Sequence, residues 1–308
     1  MSSRFVAQRL VQTLLTILLL SVIVFALARI SGDPVAIMAP PEASEVELDL
    51  LRAKLGLDQP ILVQYWRFVS NAAQGDFGTS IKWNSSAAEI IIDRFPATIL
   101  LSVTSMIFGL LLALPVGILS AVKRDTWFDN VGKVVALTGQ SMPTFWFGIL
   151  LILVFSLYVP IFPTSGYGSA AHLVLPSITL GGFVAASIMR VTRSSMLDAL
   201  EADYVRTARS KGVSEWRVVM VHALKNGAIP ILTITALQAA TILRGAVVTE
   251  SVFAWPGVGK IAVDAVYARD FPLVQAAVLF MGVVFLIMNL LVDFLYVLLD
   301  PRISYLKK

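Results

Sequence analysis

The chain has 308 residues, of which 57% are hydrophobic and 14% charged, with a formal net charge of +4. Soluble domains carry about 25% charged residues, so this is the composition of a membrane protein. Cysteine is absent, and His172 and His222 stand far apart without ligand spacing, which leaves no disulfide framework, thiolate metal site or histidine metal site to consider.

Six stretches approach the ~20 apolar residues that a spanning helix needs. They fall at roughly 10–30, 97–120, 134–159, 173–190, 229–249 and 273–299. The first follows "MSSRFVAQRL" and contains Ala26-Leu27-Ala28, which also reads as a signal-peptide cleavage site. The apolar run is longer than a usual signal core, so residues 1–30 are expected to be a retained transmembrane helix.

Residues 31–95 are expected to form a helical segment outside the membrane. "SEVE" at 44–47 and "SAAE" at 86–89 both fit the Ser-x-x-Glu capping box, in which the two side chains satisfy each other's free N–H groups. Amphipathic runs follow each: Leu48, Leu51 and Leu55, then Ile91, Ile92 and Phe95. "YWRFV" at 65–69 offers an aromatic face, and "QGDFG" at 74–78 a turn. A decoration lying on the membrane surface, with no part in transport, fits the same residues.

Residues 96–308 read as five spans with short connections. Pro115, Pro143, Pro176 and Pro230 lie in or at the start of these spans, where neighbours or water can re-satisfy the freed backbone. "GQSMPTFWFG" at 139–148 opens the third span with small and polar residues, which suits either helix packing or a pathway lining. The fourth is short and carries Leu180-Gly181-Gly182.

Charge then sets orientation. With the N-terminus inside, the cytoplasmic segments carry 15 of the 24 Lys and Arg, and the outer segments 12 of the 20 Asp and Glu. Orientation follows the Lys and Arg excess, so the N- and C-termini are both expected in the cytoplasm. The basic balance reflects topology, with no nucleic-acid partner implied.

What is missing narrows the function. Ion-coupled secondary carriers keep acids or histidines near the midplane. Here Arg244, Glu250 and Asp293 fall toward span ends, where helix-end pairing is the simpler role. "GVGK" at 257–260 fails as a phosphate loop, because Lys260 is followed by Ile261 and position 254 is Ala. The chain carries no nucleotide-hydrolysing motif, nucleophile elbow or zinc-protease motif, so it is not expected to be an enzyme.

One polar stretch stands between the fourth and fifth spans, "DYVRTARSKGVSEWRVVMVHALKNGAIP" at 203–230. Leu197, Leu200, Tyr204, Val205 and Ala208 recur at helical spacing on one face, with Arg206, Arg209 and Lys211 on the other. Gly212 stands where a C-cap glycine ends a helix. Ser214 can cap a second helix carrying Trp216, Val219 or Met220, and Ala223. "NG" at 226–227 is expected to stop it, and Pro230 to open the next span. The result is a helix–turn–helix elbow under the membrane, suited to anionic lipid or to a partner protein. A glycine turn between two capped helices has more shape than a lipid anchor needs.

At these residues the chain resembles the transmembrane subunit of a binding-protein-dependent ABC importer of the dipeptide, oligopeptide and nickel branch. Permeases of that family carry a cytoplasmic E-A-A loop ending in Gly that docks in the ATPase subunit. Gly212 matches the glycine, and Arg206-Thr207-Ala208 occupies the E-A-A position with only Ala208 matching its letters. The form "DYVRTARSKG…HALKN…IP" is similar to that branch, as are "SGDP" at 31–34, "LGLDQP" at 55–60, "QYWRFV…QGDFGTSI", "RFPATILLS" at 94–102 and "PTFWFGILLI" at 143–152. "LPSITLG" at 175–181, "TRSSMLD" at 192–198, "VFAWPGVGK" at 252–260, "DFPLVQ" at 270–275 and "LVDFLYVLLDPRI" at 291–303 extend the likeness over nearly the whole chain.

The resemblance implies an all-α polytopic protein with six transmembrane helices and a type I-like permease core, placed in a bacterial or archaeal cytoplasmic membrane. The coupling loop would lie at about 191–228, with Asp203, Tyr204, Arg206, Thr207, Ala208, Lys211, Gly212, Val213 and Ser214 at the ATPase contact. It implies a homologous second permease, two ABC ATPase subunits that hold ATP and Mg, a periplasmic or lipid-anchored solute-binding protein, and membrane lipid around the spans. No cofactor is expected in this chain. Di- or oligopeptides are the expected cargo, with glutathione, nickel or an opine as the alternative. An ion-coupled carrier and a non-transporting scaffold are the rival classes.

Overall fold

A computed structural model of the chain describes residues 3–30, 35 and 44–299. The "SGDP" stretch and the C-terminal residues from Asp300 onward lie outside the described residues, and so do the side chains of Leu51 and Leu55. Among the described residues the structure is helical, with one isolated bridge between Thr79 and Ser86. In chain order the helices are α1 (Ser3–Ile30), α2 (Glu45–Leu55), α3 (Ile61–Ala73), α4 (Ala87–Val122), α5 (Trp127–Ser141), α6 (Thr144–Ile152), α7 (Ala170–Glu201), α8 (Asp203–Ser210), α9 (Glu215–Val252), α10 (Val258–Tyr267) and α11 (Phe271–Leu299). By length and composition α1, α4, α7, α9 and α11 can cross a membrane, and the bent pair of α5 with α6 would be a sixth crossing.

The residues fall into two compact groups, with α4 dividing at Ala97 and α11 at Ile287. In the first group, α3 lies on α1 through stacked rings. Phe25 meets Tyr65 and Phe68 with centroids 5.4 and 5.7 Å apart, and the Tyr65 hydroxyl reaches Ser21 Oγ at 2.9 Å. The core joins the start of α4 to α10 and the start of α11 through Ala87, Ile91, Val258, Ile261, Leu273 and Ala276. Buried Asp270 caps α11 from the Leu273 N–H and also accepts from the Ser80 hydroxyl and the Lys82 N–H, fixing the loop before α4.

The expected capping box at Ser44 forms, and its Ser44 bonds hold the Glu47 carboxyl below its usual pKa. The second does not: α4 begins after Ser86 with only the Ile90 N–H on the Ser86 carbonyl, because Ser86 is held in the bridge to Thr79. The turn at 74–78 forms around Asp76 Oδ1, which accepts from the Gly78 N–H at 2.9 Å.

In the second group α7 is the spine, the most buried of the candidate spans, packed against α9, α5 and α6. A Cβ on Gly181 would overlap the Ser105 carbonyl oxygen of α4, and one on Gly117 would come within 2.8 Å of the Met189 oxygen. Small residues therefore let the two backbones approach, which is how apolar helices gain packing in a solvent as oily as themselves.

Four spans differ from the sequence expectation, the fifth because α9 already begins at Glu215 and carries Pro230 inside it. The fourth runs to Glu201 instead of stopping near 190, because Leu180-Gly181-Gly182 serves close packing and breaks nothing. The second begins ten residues early and carries Pro96 inside its helix. The third is two helices crossing at 106°, separated by Met142 in an extended conformation and Pro143. Proline cannot donate to the preceding turn, and it forces the residue before it out of the helical region. α6 ends in a π-helical turn at Leu153–Tyr158, closed by the Val159 N–H on the Val154 carbonyl.

Replacing Gly181 by Ala should force α4 from α7 and cost about 2 kcal/mol, as overpacking does. The thermal inactivation midpoint of the purified chain in detergent should fall by several degrees. Gly182→Ala, whose Cβ meets only the edge of Phe147 at 3.4 Å, should leave it nearly unchanged.

Candidate functional site

The polar stretch between α7 and α9 folds as an elbow, and its turn is closed by backbone bonds. α8 ends at Ser210, followed by Lys211 and then Gly212 with φ +76°. The Gly212 N–H bonds to the Arg209 carbonyl at 2.9 Å, and the Val213 N–H to the Ala208 carbonyl at 3.2 Å. This paired arrangement satisfies two orphan carbonyls and needs the left-handed residue at its centre, which glycine adopts without strain. Ser214 precedes the second arm at the N-cap position, but its side chain makes no capping bond. Glu215, the next residue, instead accepts both Arg209 Nε at 2.8 Å and Arg209 Nη2 at 3.2 Å, a fork that brackets the turn.

Beneath the turn lies one apolar cluster. Ala121 of α4, Met196 and Ala199 of α7, Val205 and Ala208 of α8, and Val218, Val219 and Ala223 of α9 are all buried in it, with Val213 packed on its edge. Four helices thus converge on a common core, so the elbow is a folded part of its group and no slack loop.

The sequence-derived site residues separate into two sets. Ala208 is buried, Val213 is half-buried and Gly212 shapes the turn, so these three build the elbow. Asp203, Tyr204, Arg206, Thr207, Lys211 and Ser214 are exposed. Thr207 Oγ1 donates to the Asp203 carbonyl, and Arg206 stands 3.6 Å from the Asp203 carboxylate. The expected single face from Leu197 to Ala208 is instead divided at Ala202, which is extended. Leu197 and Leu200 belong to α7, and Tyr204 turns outward at 42% exposed.

The second arm also differs. "NG" at 226–227 ends nothing: helix α9 runs unbroken from Glu215 through Pro230 to Val252. Asn226 donates to the His222 carbonyl within the helix, and Gly227 packs within 3.2 Å (at its would-be Cβ) of the Ser195 oxygen. Between Val218 and Ala223 the helix widens to a π-helical turn, closed by the Leu224 N–H on the Val219 carbonyl. Val219 and Ala223 are buried as expected, together with Val218, whereas Trp216, also expected on the apolar face, is 75% exposed.

Two polar contacts were not anticipated. Glu250 of α9 is fully buried and accepts the Thr98 hydroxyl at 2.6 Å. Asp129 of α5 is also fully buried, and Arg193 of α7 grips it with Nε at 2.6 Å and Nη2 at 2.8 Å. Their partners lie far away in sequence, and no local spacing signals the pairing.

The described residues thus hold long apolar helices with a folded polar elbow between two of them. Residues 113–305 match the family described as "Binding-protein-dependent transport system inner membrane component", and residues 2–103 match the family described as "Binding-prot-dependent transport system membrane comp, N-term". The chain belongs to this family and is a multi-pass inner-membrane permease subunit of a binding-protein-dependent ABC importer. It is similar to the glutathione transport system permease protein GsiC of Salmonella paratyphi A, at 45% identity over 98% of this chain and 99% of the relative. The protein of the same description from Escherichia coli is 44% identical over the same shares. Among solved structures, a chain of the MetNI methionine ABC transporter in inward-facing conformations shares the fold, with a TM-score of 0.54 at 16% identity over 68% of this chain and 96% of that one.

Gly212→Ala places a Cβ in a left-handed conformation and should cost the elbow about 1 kcal/mol. Amide hydrogen exchange at Val213 should then run about five-fold faster. Arg209→Ala, which removes only an exposed ion pair, should change exchange there by less than about two-fold.

Proposed function

We propose that the elbow, with Asp203, Tyr204, Arg206, Thr207, Ala208, Lys211, Gly212, Val213 and Ser214, is the site at which an ABC ATPase subunit drives this permease. The observation that carries the reading is the closed glycine turn mounted on a core shared by α4, α7, α8 and α9. A load applied at Lys211–Ser214 is thereby delivered to spanning helices. ATP-driven closure of two ATPase subunits would move the elbow as a rigid body and switch a pair of permeases between inward-open and outward-open states. The contact must differ in energy between the states, or no population shifts. Exposed Trp216 has the chemistry of an interface anchor.

In this reading the chain has three parts: helix 1–30, a helical periplasmic segment over 31–95 and a permease core over 96–308. It makes six crossings with both termini in the cytoplasm, and α5 with α6 is one bent crossing. A homologous permease, two ATPases carrying ATP and Mg, and a periplasmic or lipid-anchored binding protein complete the importer. The chain itself supplies no catalytic group or cofactor. Full-length similarity to permeases named for glutathione makes glutathione, itself a short peptide, the first cargo to assay, ahead of other di- and oligopeptides.

Gly212→Pro removes the N–H that closes the turn and cannot adopt φ +76°. The variant should insert normally and lose glutathione uptake in a complex reconstituted with its ATPases and binding protein. A variant complex that retained its ATPases and transported at the wild-type rate would overturn the assignment. Orientation is checked separately, since the chain has no cysteine of its own. A membrane-impermeant maleimide added to spheroplasts should label Ser70→Cys directly, and Ser210→Cys only after permeabilisation.

A further inference from the structure

The elbow's core accounts for α4, α7, α8 and α9, but α5 is not part of it. Helix α5 is tied to α7 by polar contacts along its length. At its start, fully buried Asp129 receives the Arg193 fork, the Lys133 ammonium at 2.8 Å and the Asp125 N–H at 3.1 Å. Near its end, Gln140 donates to Ser187 Oγ at 2.8 Å and accepts from Arg190 Nη1 at 3.2 Å. The connection before α5 is held as well, because Arg124 reaches Glu201, the last residue of α7, at 2.7 Å.

Arg193 lies three residues before Met196, whose side chain is fully buried in the elbow's core. Arg193 and Met196 therefore sit one turn apart on the same helix. On the other side of the clamp, α5 leads to the break at Met142–Pro143. Beside that break is a cavity of about 310 Å3, lined by Val135, Thr138, Met142, Phe147, Thr179 and Phe183 among others. A carboxylate with no solvent contact needs charged partners, and removing one leaves an uncompensated charge. A bidentate fork also fixes direction, where a single ammonium would act as a pivot.

We infer that Asp129 and Arg193 form a clamp that makes α5 move with the elbow as one body, so that Asp129 is a positioning residue for transport. It carries the elbow's displacement to the bend between α5 and α6 and to the cavity beside it. The inference rests on the elbow being the ATPase contact, and its test separates the two.

In the full reconstituted importer, Asp129→Asn should reduce uptake of labelled glutathione about ten-fold, the size of a lost coupling interaction, while ATP hydrolysis stays within about two-fold. Arg193→Lys keeps the charge without the fork, and should retain more uptake per ATP than Asp129→Asn. Equal losses of hydrolysis and uptake, the pattern of a merely weakened chain, would overturn the clamp. So would wild-type uptake by Asp129→Asn in a complex that Gly212→Pro uncouples, and in that case the elbow assignment stands. Normal transport by Gly212→Pro would instead remove the elbow assignment. A second measurement keeps Asp129 and Arg193 intact: spin labels at Val131→Cys on α5 and Lys225→Cys on α9. Their separation should stay within about 2 Å between nucleotide-free and ATP-trapped complexes, the scale of small helix shifts. A larger change would show α5 sliding past the elbow and would overturn the proposal.

Discussion

The backbone contact between α4 and α7 is the constraint on which the second group of residues depends. Lipid tails are as apolar as leucine, so helices in a bilayer gain little from burying leucine against leucine. They gain from close approach, and here Gly117 and Gly181 bring main chain against main chain. With that seam fixed, the ends of α4 and α7 meet at one place and present Ala121, Met196 and Ala199 as a floor. The elbow is seated on that floor. Its shape comes from Gly212, and its position comes from a glycine seam that begins about one helical turn away, at Gly117.

Buried charge serves a different purpose in each group. Asp270 gathers a hydroxyl and two backbone N–H groups, so its carboxylate acts as a local knot that fixes a loop and starts α11. Asp129 is gripped by two cations from different places in the chain, one on its own helix and one on α7. Interior ion pairs add little net stability against an apolar replacement, and their better-attested use is to specify one arrangement over another. The arrangement specified here is the alignment of a helix that bends by 106° a few turns later.

Much of this was legible in the sequence, where local chemistry decides the outcome. Apolar length announced the spans, Ser44 and Glu47 announced a capped helix, and Gly212 after a basic helical face announced the turn. Several misreadings share a cause: signals that punctuate soluble chains were overridden by packing. Gly181-Gly182, Asn226-Gly227, Pro96 and Pro230 all lie inside continuous helices. Where glycine lets helices touch, or a neighbouring helix encloses the chain, a local breaker loses its effect. Pro143 did break its helix, and nothing in its immediate letters separates it from the others. The Asp129–Arg193 pair was out of reach for another reason, because its partners meet only once α5 and α7 are side by side.

The π-helical turn at Val218–Ala223 has a consequence for how this protein can vary. A helix advances about 100° per residue, and a π-turn accommodates one residue more than an α-helix would. Deleting a single residue there would restore ordinary winding and leave the directions of the elbow's second arm and of α9 nearly unchanged, whereas a deletion in an ordinary turn would swing the arm by roughly that angle. Loop lengths drift easily among related proteins, and this wide turn is where the arm can gain or lose one residue while the elbow and α9 keep their directions.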